Sequence, residues 1–146
     1  MLLTLPAMPA PPALVPMTQV VCQVGALVSL GQAKHGERRF VPLGGGTVRG
    51  PELNGTLVEG GVDWQVNRAD DGAFIEVQSD GVRHGPPEVM ARLARGEAVP
   101  RDEYYFRTVV RFATGAPQWL HLNKVLALAV GQREAGCVKL DFYRIS

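Results

Sequence analysis

The stretch Tyr104–Phe112, YYFRTVVRF, decides the fold class. Its side chains alternate. Tyr104, Phe106, Thr108, Val110 and Phe112 share one face of an extended chain, and Tyr105, Arg107, Val109 and Arg111 share the other. A period of two places successive residues on opposite sides of a β-strand, one side packed and the other facing water or a cavity.

Further strands are expected on both sides of this one. Downstream, TGAP is a turn, WLHLNKVLALAV a long strand, and CVKLDFYRI the closing strand, with Val138, Leu140 and Phe142 on one side. Upstream, TQVVCQVGALVSL is a first extended stretch and RRFVPL a second, followed by GGGTVRG as a glycine-rich bend. LNGTLV and DWQVNR are short strands separated by EGG. ADDG is a strong turn signal before AFIEVQ, and SDG is expected to close that hairpin.

GPPEVMARLARG, residues 85–96, breaks the extended pattern. Proline is favoured at the first helical position and glycine just past the last turn. Val89, Met90 and Leu93 form an apolar stripe at helical spacing, and Arg92 and Arg95 suit the negative C-terminal end of the dipole. One short helix near 86–95 is therefore expected. His84 precedes it, so its four-residue spacing to Glu88 does not make a metal pair, and Glu88 complements the free N–H groups of the first turn. Arg83 and His84, at the entry to the helix, read equally as an anion or carbonyl site and as partners of loop carbonyls.

The chain has 146 residues, 46% hydrophobic and 20% charged, with 17 glycines and 11 prolines. That suits a single turn-rich β domain with one core. Residues 1–16 read as a proline-rich N-terminal arm and residues 17–146 as the domain. A net charge of +1 gives no general pull toward nucleic acid or anionic lipid, so neither is an expected partner. Cys22 and Cys137 are too few for a disulfide-built secreted domain, and two free thiols are expected. The apolar start MLLTLPAMPAPPALVP lacks a basic leader and is broken by prolines, which favours neither a signal peptide nor a membrane span. Cytoplasmic residence follows. No zinc spacing, phosphate loop or redox motif is present, and no metal or cofactor is expected. Many antiparallel strands with one helix point to a small β-barrel or sandwich, and closure into a barrel removes exposed edges.

Polar residues at alternating strand positions are the candidate site. Asp63 and Gln65 share a face, as do Tyr105 and Arg107, and as do Trp119, His121 and Asn123. They line one cavity or simply face solvent, and alternation leaves both readings open.

The blocks PLGGGTVRGPELNGTLVEGGVDWQ, DDGAFIEVQSDGVRHGPPEVMARL, YYFRTVVRFATGAP and LNK resemble the family known as domain of unknown function 3237. The resemblance implies a small antiparallel barrel, similar to allene oxide cyclase and lipocalin-like barrels, and commonly a homodimer. It also implies that one strand is missing between DWQ and DDG, and that His121 stands where tryptophan is more usual. Related barrels host cofactor-free cyclases and isomerases. On that analogy the expected activity is cyclisation, isomerisation or dehydration of a hydrophobic oxygenated small molecule, in a biosynthetic role. His121 or Asp63 would move a proton, and Tyr105 and Arg107 would polarise a carbonyl. Gln65, Trp119, Asn123, Arg83 and His84 would hold the substrate. The alternative is a barrel that binds or carries the molecule without chemistry.

Overall fold

A computed structural model describes residues 6–26, 28–61 and 64–146. Eight antiparallel strands close into a barrel: β1 (Leu14–Val24), β4 (Leu43–Arg49), β5 (Gly55–Leu57), β6 (Trp64–Ala69), β7 (Phe74–His84), β8 (Tyr105–Ala113), β9 (Leu126–Arg133) and β10 (Cys137–Ile145). Every strand pairs with its sequence neighbour, except that β1 joins β10 on one side and β4 on the other. Between β1 and β4 the chain makes a separate two-stranded hairpin, β2 (Val28–Ala33) and β3 (Gly36–Phe40). Among the described residues no helix is long and apolar enough to cross a membrane.

The expected antiparallel barrel is present, with corrections to its parts. No strand is missing: β6 pairs with β5 on one side and β7 on the other, so the circuit closes across the ADDG turn. GGGTVRG is strand β4 rather than a bend. A Cβ at Gly46 would collide with the Val21 carbonyl oxygen, so the glycine is what lets β4 lie against β1. The first extended stretch is divided between β1 and β2, and β1 already begins at Leu14, within the expected arm. SDG does not close the hairpin either. β7 runs through it to His84 and pairs with β8 from Glu76–Ala113 to His84–Tyr105.

WLHLNKVLALAV is not one strand. Residues Pro117–Lys124 form a 3₁₀ helix, and β9 starts only at Leu126. Pro117 sits in the first turn of that helix, where its missing N–H costs nothing. Asn123 then folds back on the preceding loop, accepting from the Thr114 N–H at 2.8 Å and donating to the Thr114 carbonyl at 2.9 Å. These local bonds outweigh the strand-like alternation of the sequence.

The helix α1 (Pro87–Ala94) lies where expected, with proline at its start, Glu88 in the first turn, Arg92 in the last and Gly96 beyond it at φ +78°. Leu93, Val99 and Tyr104 form a small cluster with Val89, Met90 and Phe106. The Tyr104 hydroxyl accepts from the Arg133 N–H at 2.9 Å, which fixes the connection from α1 to β8 over one end of the barrel.

That geometry leaves the two barrel ends unlike. One end is filled by Met17, Leu53, Ile75, Phe112, Leu122 and Phe142, and the 3₁₀ helix covers it. The other end holds α1, the β2–β3 hairpin and the β9–β10 turn. There some inward residues, among them Ser79, Gly81 and Thr108, are small or polar.

Candidate functional site

Strand parity determines what faces inward. On β8 Phe106, Thr108, Val110 and Phe112 point in, while Tyr105, Arg107, Val109 and Arg111 are exposed. On β7 the inward series is Ile75, Val77, Ser79, Gly81 and Arg83, which shrinks from bulky to none and then places a cation at the rim. An eight-stranded barrel is just wide enough to be filled by side chains, so small residues on one wall leave space. The space is a cavity of about 350 Å³ at the α1 end, lined by Cys22, Val24, Leu43, Gln65, Val77, Ser79, Gly81, Val82, Arg83, Phe106, Thr108, Val138 and Leu140.

Its wall is mostly apolar, with a few polar groups set into it. The Thr108 residue is 7% exposed, and its Oγ1 is buried without any hydrogen-bond partner. Gly81 stands opposite it across the strand pair, and a Cβ there would lie 2.6 Å from Thr108 Cγ2. The Gln65 amide donates from Nε2 to the Cys22 sulfur at 2.8 Å, and the Cys22 thiol donates to the Gln23 carbonyl at 3.4 Å. Burial pushes the Cys22 pKa up, against the opposing pull of the Gln65 hydrogen bond, so the group is a neutral thiol at neutral pH. At the mouth the Arg83 guanidinium lies 5.8 Å from the centre of the Phe106 ring.

Of the expected site residues that the structure describes, two line this cavity. Gln65 and Arg83 line it. Tyr105 and Arg107 are on the outer surface, where Tyr105 stacks with His84 at 5.2 Å and carries the Arg107 guanidinium at 5.1 Å. His84 is the last residue of β7, faces outward, and precedes the α1 N-cap residue Pro86 by two positions. Trp119, His121 and Asn123 belong to the 3₁₀ helix at the filled end. There Trp119 donates from Nε1 to Asp71 at 2.8 Å, His121 is exposed beside it, and Asn123 serves the loop. Asp63 lies outside the described residues. Faces of separate strands can be read from alternation, but which faces converge depends on where the chain stops being a strand.

Cys22, Ser79, Gly81, Phe106 and Thr108 line the cavity without having been singled out. The signal was available: Thr108 is the one polar residue on the apolar face of YYFRTVVRF, and FIEVQSDGVR alternates toward Ser79, Gly81 and Arg83. Both cysteines are free, Cys22 buried and Cys137 partly so, as expected.

The family model described as Protein of unknown function (DUF3237) matches residues 12–145. The chain belongs to that family. This DUF3237 protein is 33% identical over 140 residues to the UPF0311 protein RPA1785 of Rhodopseudomonas palustris, covering 86% of this chain and 92% of the relative. It is 32% identical over 125 residues to the UPF0311 protein CA_C3321 of Clostridium acetobutylicum, covering 76% and 79%. A crystal structure of the conserved protein of unknown function RPA1785 superposes with a TM-score of 0.89 at 29% identity, over 95% of this chain and all of that one. The full coverage agrees with the absence of a strand deletion. A beta-barrel like protein from Acinetobacter baumannii gives 0.80 at 30% identity, over 95% of this chain and 99% of that one. A protein described as an enzyme from Penicillium herquei gives 0.68 at 19% identity, over 97% and 100%, a likeness of fold alone.

Proposed function

We propose that this DUF3237 protein binds a small, mainly apolar molecule carrying an oxygen function, inside the open end of its barrel. The observation that carries the reading is the Thr108 hydroxyl, buried and unpartnered in a wall of Val24, Leu43, Val77, Val138 and Leu140. A buried hydroxyl without a partner costs free energy, and a ligand oxygen or an ordered water at that point recovers it. The volume of about 350 Å³ falls within the range of roughly 300–1,000 Å³ usual for small-molecule sites.

Binding is better supported than acid–base turnover. Among the described lining residues the titratable side chains are Cys22, held as a thiol, and Arg83, which stays protonated. Of the two expected proton carriers, His121 stands at the other end of the barrel and Asp63 lies outside the described residues. A carrier or sensor role needs only the cavity.

The neutral fluorophore N-phenyl-1-naphthylamine tests the reading. Its emission should rise on binding with one-site saturation, and Ser79→Leu, which fills the cavity from β7, should abolish the rise while circular dichroism shows the barrel intact. No binding to the wild type, or equal binding to the variant, would overturn it.

A further inference from the structure

We infer that the β2–β3 ribbon belongs to the binding site: its apolar side, which carries Val28, Leu30 and Phe40, closes over the mouth of the ligand-filled cavity. The inference rests on the binding reading above and goes further by assigning the element that covers the ligand. Three observations support it.

First, the ribbon is rooted in the cavity wall. The chain leaves the barrel after Val24 and returns at Leu43; these two residues pair with each other, and both line the cavity. The root is fixed. The Val24 N–H donates to the Gly136 carbonyl at 3.1 Å, the Leu43 N–H to the Gly61 carbonyl at 3.2 Å, and the Gly25 N–H to the Pro42 carbonyl at 2.9 Å. Second, the ribbon is amphipathic and its apolar side is uncovered. Val28 stands opposite Phe40 across the pair, so the two share a side, and Leu30 is the next residue of β2 on that side. Val28 is 39% exposed and Leu30 62%. β2 and β3 form a sheet separate from the barrel, and a two-stranded ribbon on its own is marginal in water. Burying those side chains against an apolar ligand stabilises both the ribbon and the complex. Third, the ribbon has the reach and the bend. Six residues of β2 span roughly 20 Å at the rise of a strand. Eight strands at their usual spacing and tilt enclose a mouth roughly 16 Å across. The register shifts by one residue between Ser29 and Gln32, where Gly31 adopts φ +77°, and an extra residue of this kind curves a ribbon.

The test uses the full-length protein and N-phenyl-1-naphthylamine. Leu30→Asp should weaken binding of this neutral fluorophore about tenfold, the scale of one leucine buried in the complex, chiefly through faster dissociation. Leu30→Met should bind like the wild type, and so should Val109→Asp on the outer face of β8. Because Leu30 is exposed in the free protein, Leu30→Asp should melt at the wild-type temperature without fluorophore and show a smaller rise with it. Hydrogen exchange supplies a second readout: the backbone amides of β2 and β3 should exchange more slowly at saturating fluorophore. Wild-type affinity in Leu30→Asp, or ribbon exchange that saturation does not slow, would overturn the inference. So would a change in the oligomeric mass of Leu30→Asp at unchanged affinity, which would make the apolar side an interface between copies. No binding by the wild type would remove the cavity reading and this inference with it. Binding to which the ribbon is indifferent would remove the inference alone.

Discussion

The ring of Phe106 occupies the space that a side chain on Gly131 would need. A Cβ on Gly131 would stand 2.6 Å from both Cγ and Cδ2 of that ring. The two residues lie one step beyond the Arg107–Val130 pair of β8 and β9, on the inward face. Gly131→Ala should therefore push the ring out of place and cost about 1–3 kcal/mol, the usual range for overpacking. In a Phe106→Ala background the same change should cost almost nothing. Urea unfolding of the single and double variants gives the coupling, and additive effects would mean that the ring does not rest on the glycine.

Thr108 makes the opposite kind of prediction. Its hydroxyl is buried and unpartnered, so Thr108→Val removes an unsatisfied group without changing shape. The unliganded protein should be unchanged or more stable, by up to about 1 kcal/mol. Val110→Thr, two residues along the same face at 0% exposure, should cost about 1–3 kcal/mol because it creates such a group. Thermal unfolding of both variants separates a cavity hydroxyl from a structural one. A large loss in Thr108→Val would show that the hydroxyl is needed to hold the fold.

The β8 strand was legible from its alternation, and so was the proline-started helix α1. Both are local: period two and a proline–glycine frame determine them without help from distant residues. The site was not legible in the same way. Asn123 bonds back to Thr114, so the stretch carrying Trp119 and His121 coils as a 3₁₀ helix instead of extending. That moved both side chains to the filled end of the barrel, away from Gln65. Conversely, Gly46 and Gly81 look like turn residues in the sequence, yet each sits where a neighbouring strand leaves no room for a Cβ. Close strand approach is a tertiary fact, and alternation within one strand does not report it.

The cysteines should differ in reactivity. Burial raises the pKa of both thiols, and Cys22 is 1% exposed whereas Cys137 is partly exposed. Thiolate is the reactive form, so both should react slowly at neutral pH and faster as pH rises above the ordinary cysteine range. With Ellman's reagent, Cys137 should react first and Cys22 only on a slower, opening-limited timescale. Cys137→Ser should remove the faster phase. A single rate for both thiols would contradict the burial of Cys22 in the barrel wall.

Asp71 ties the ADDG turn to the 3₁₀ helix. It accepts from the Ala73 N–H at 3.0 Å, from Trp119 Nε1 at 2.8 Å and from Gln118 Nε2 at 3.2 Å. The Ala73 backbone bond, ahead of those from Trp119 and Gln118, lowers its pKa in the fold. A carboxylate with a lowered folded pKa adds stability above its unfolded value, near 3.9, and loses it as pH falls through the folded value. Asp71→Asn should thus melt below the wild type at pH 7, with the gap narrowing as pH drops below about 4. A gap that is constant with pH would remove the charge from the explanation.

Methyl NMR with N-phenyl-1-naphthylamine tests binding inside the barrel most directly. Titration should shift the methyl resonances of Thr108, Val77, Val138 and Leu140, which line the cavity, and leave Val109 and Leu126 on the outer face unmoved. Shifts confined to the outer methyls, or none at saturating fluorophore, would contradict it.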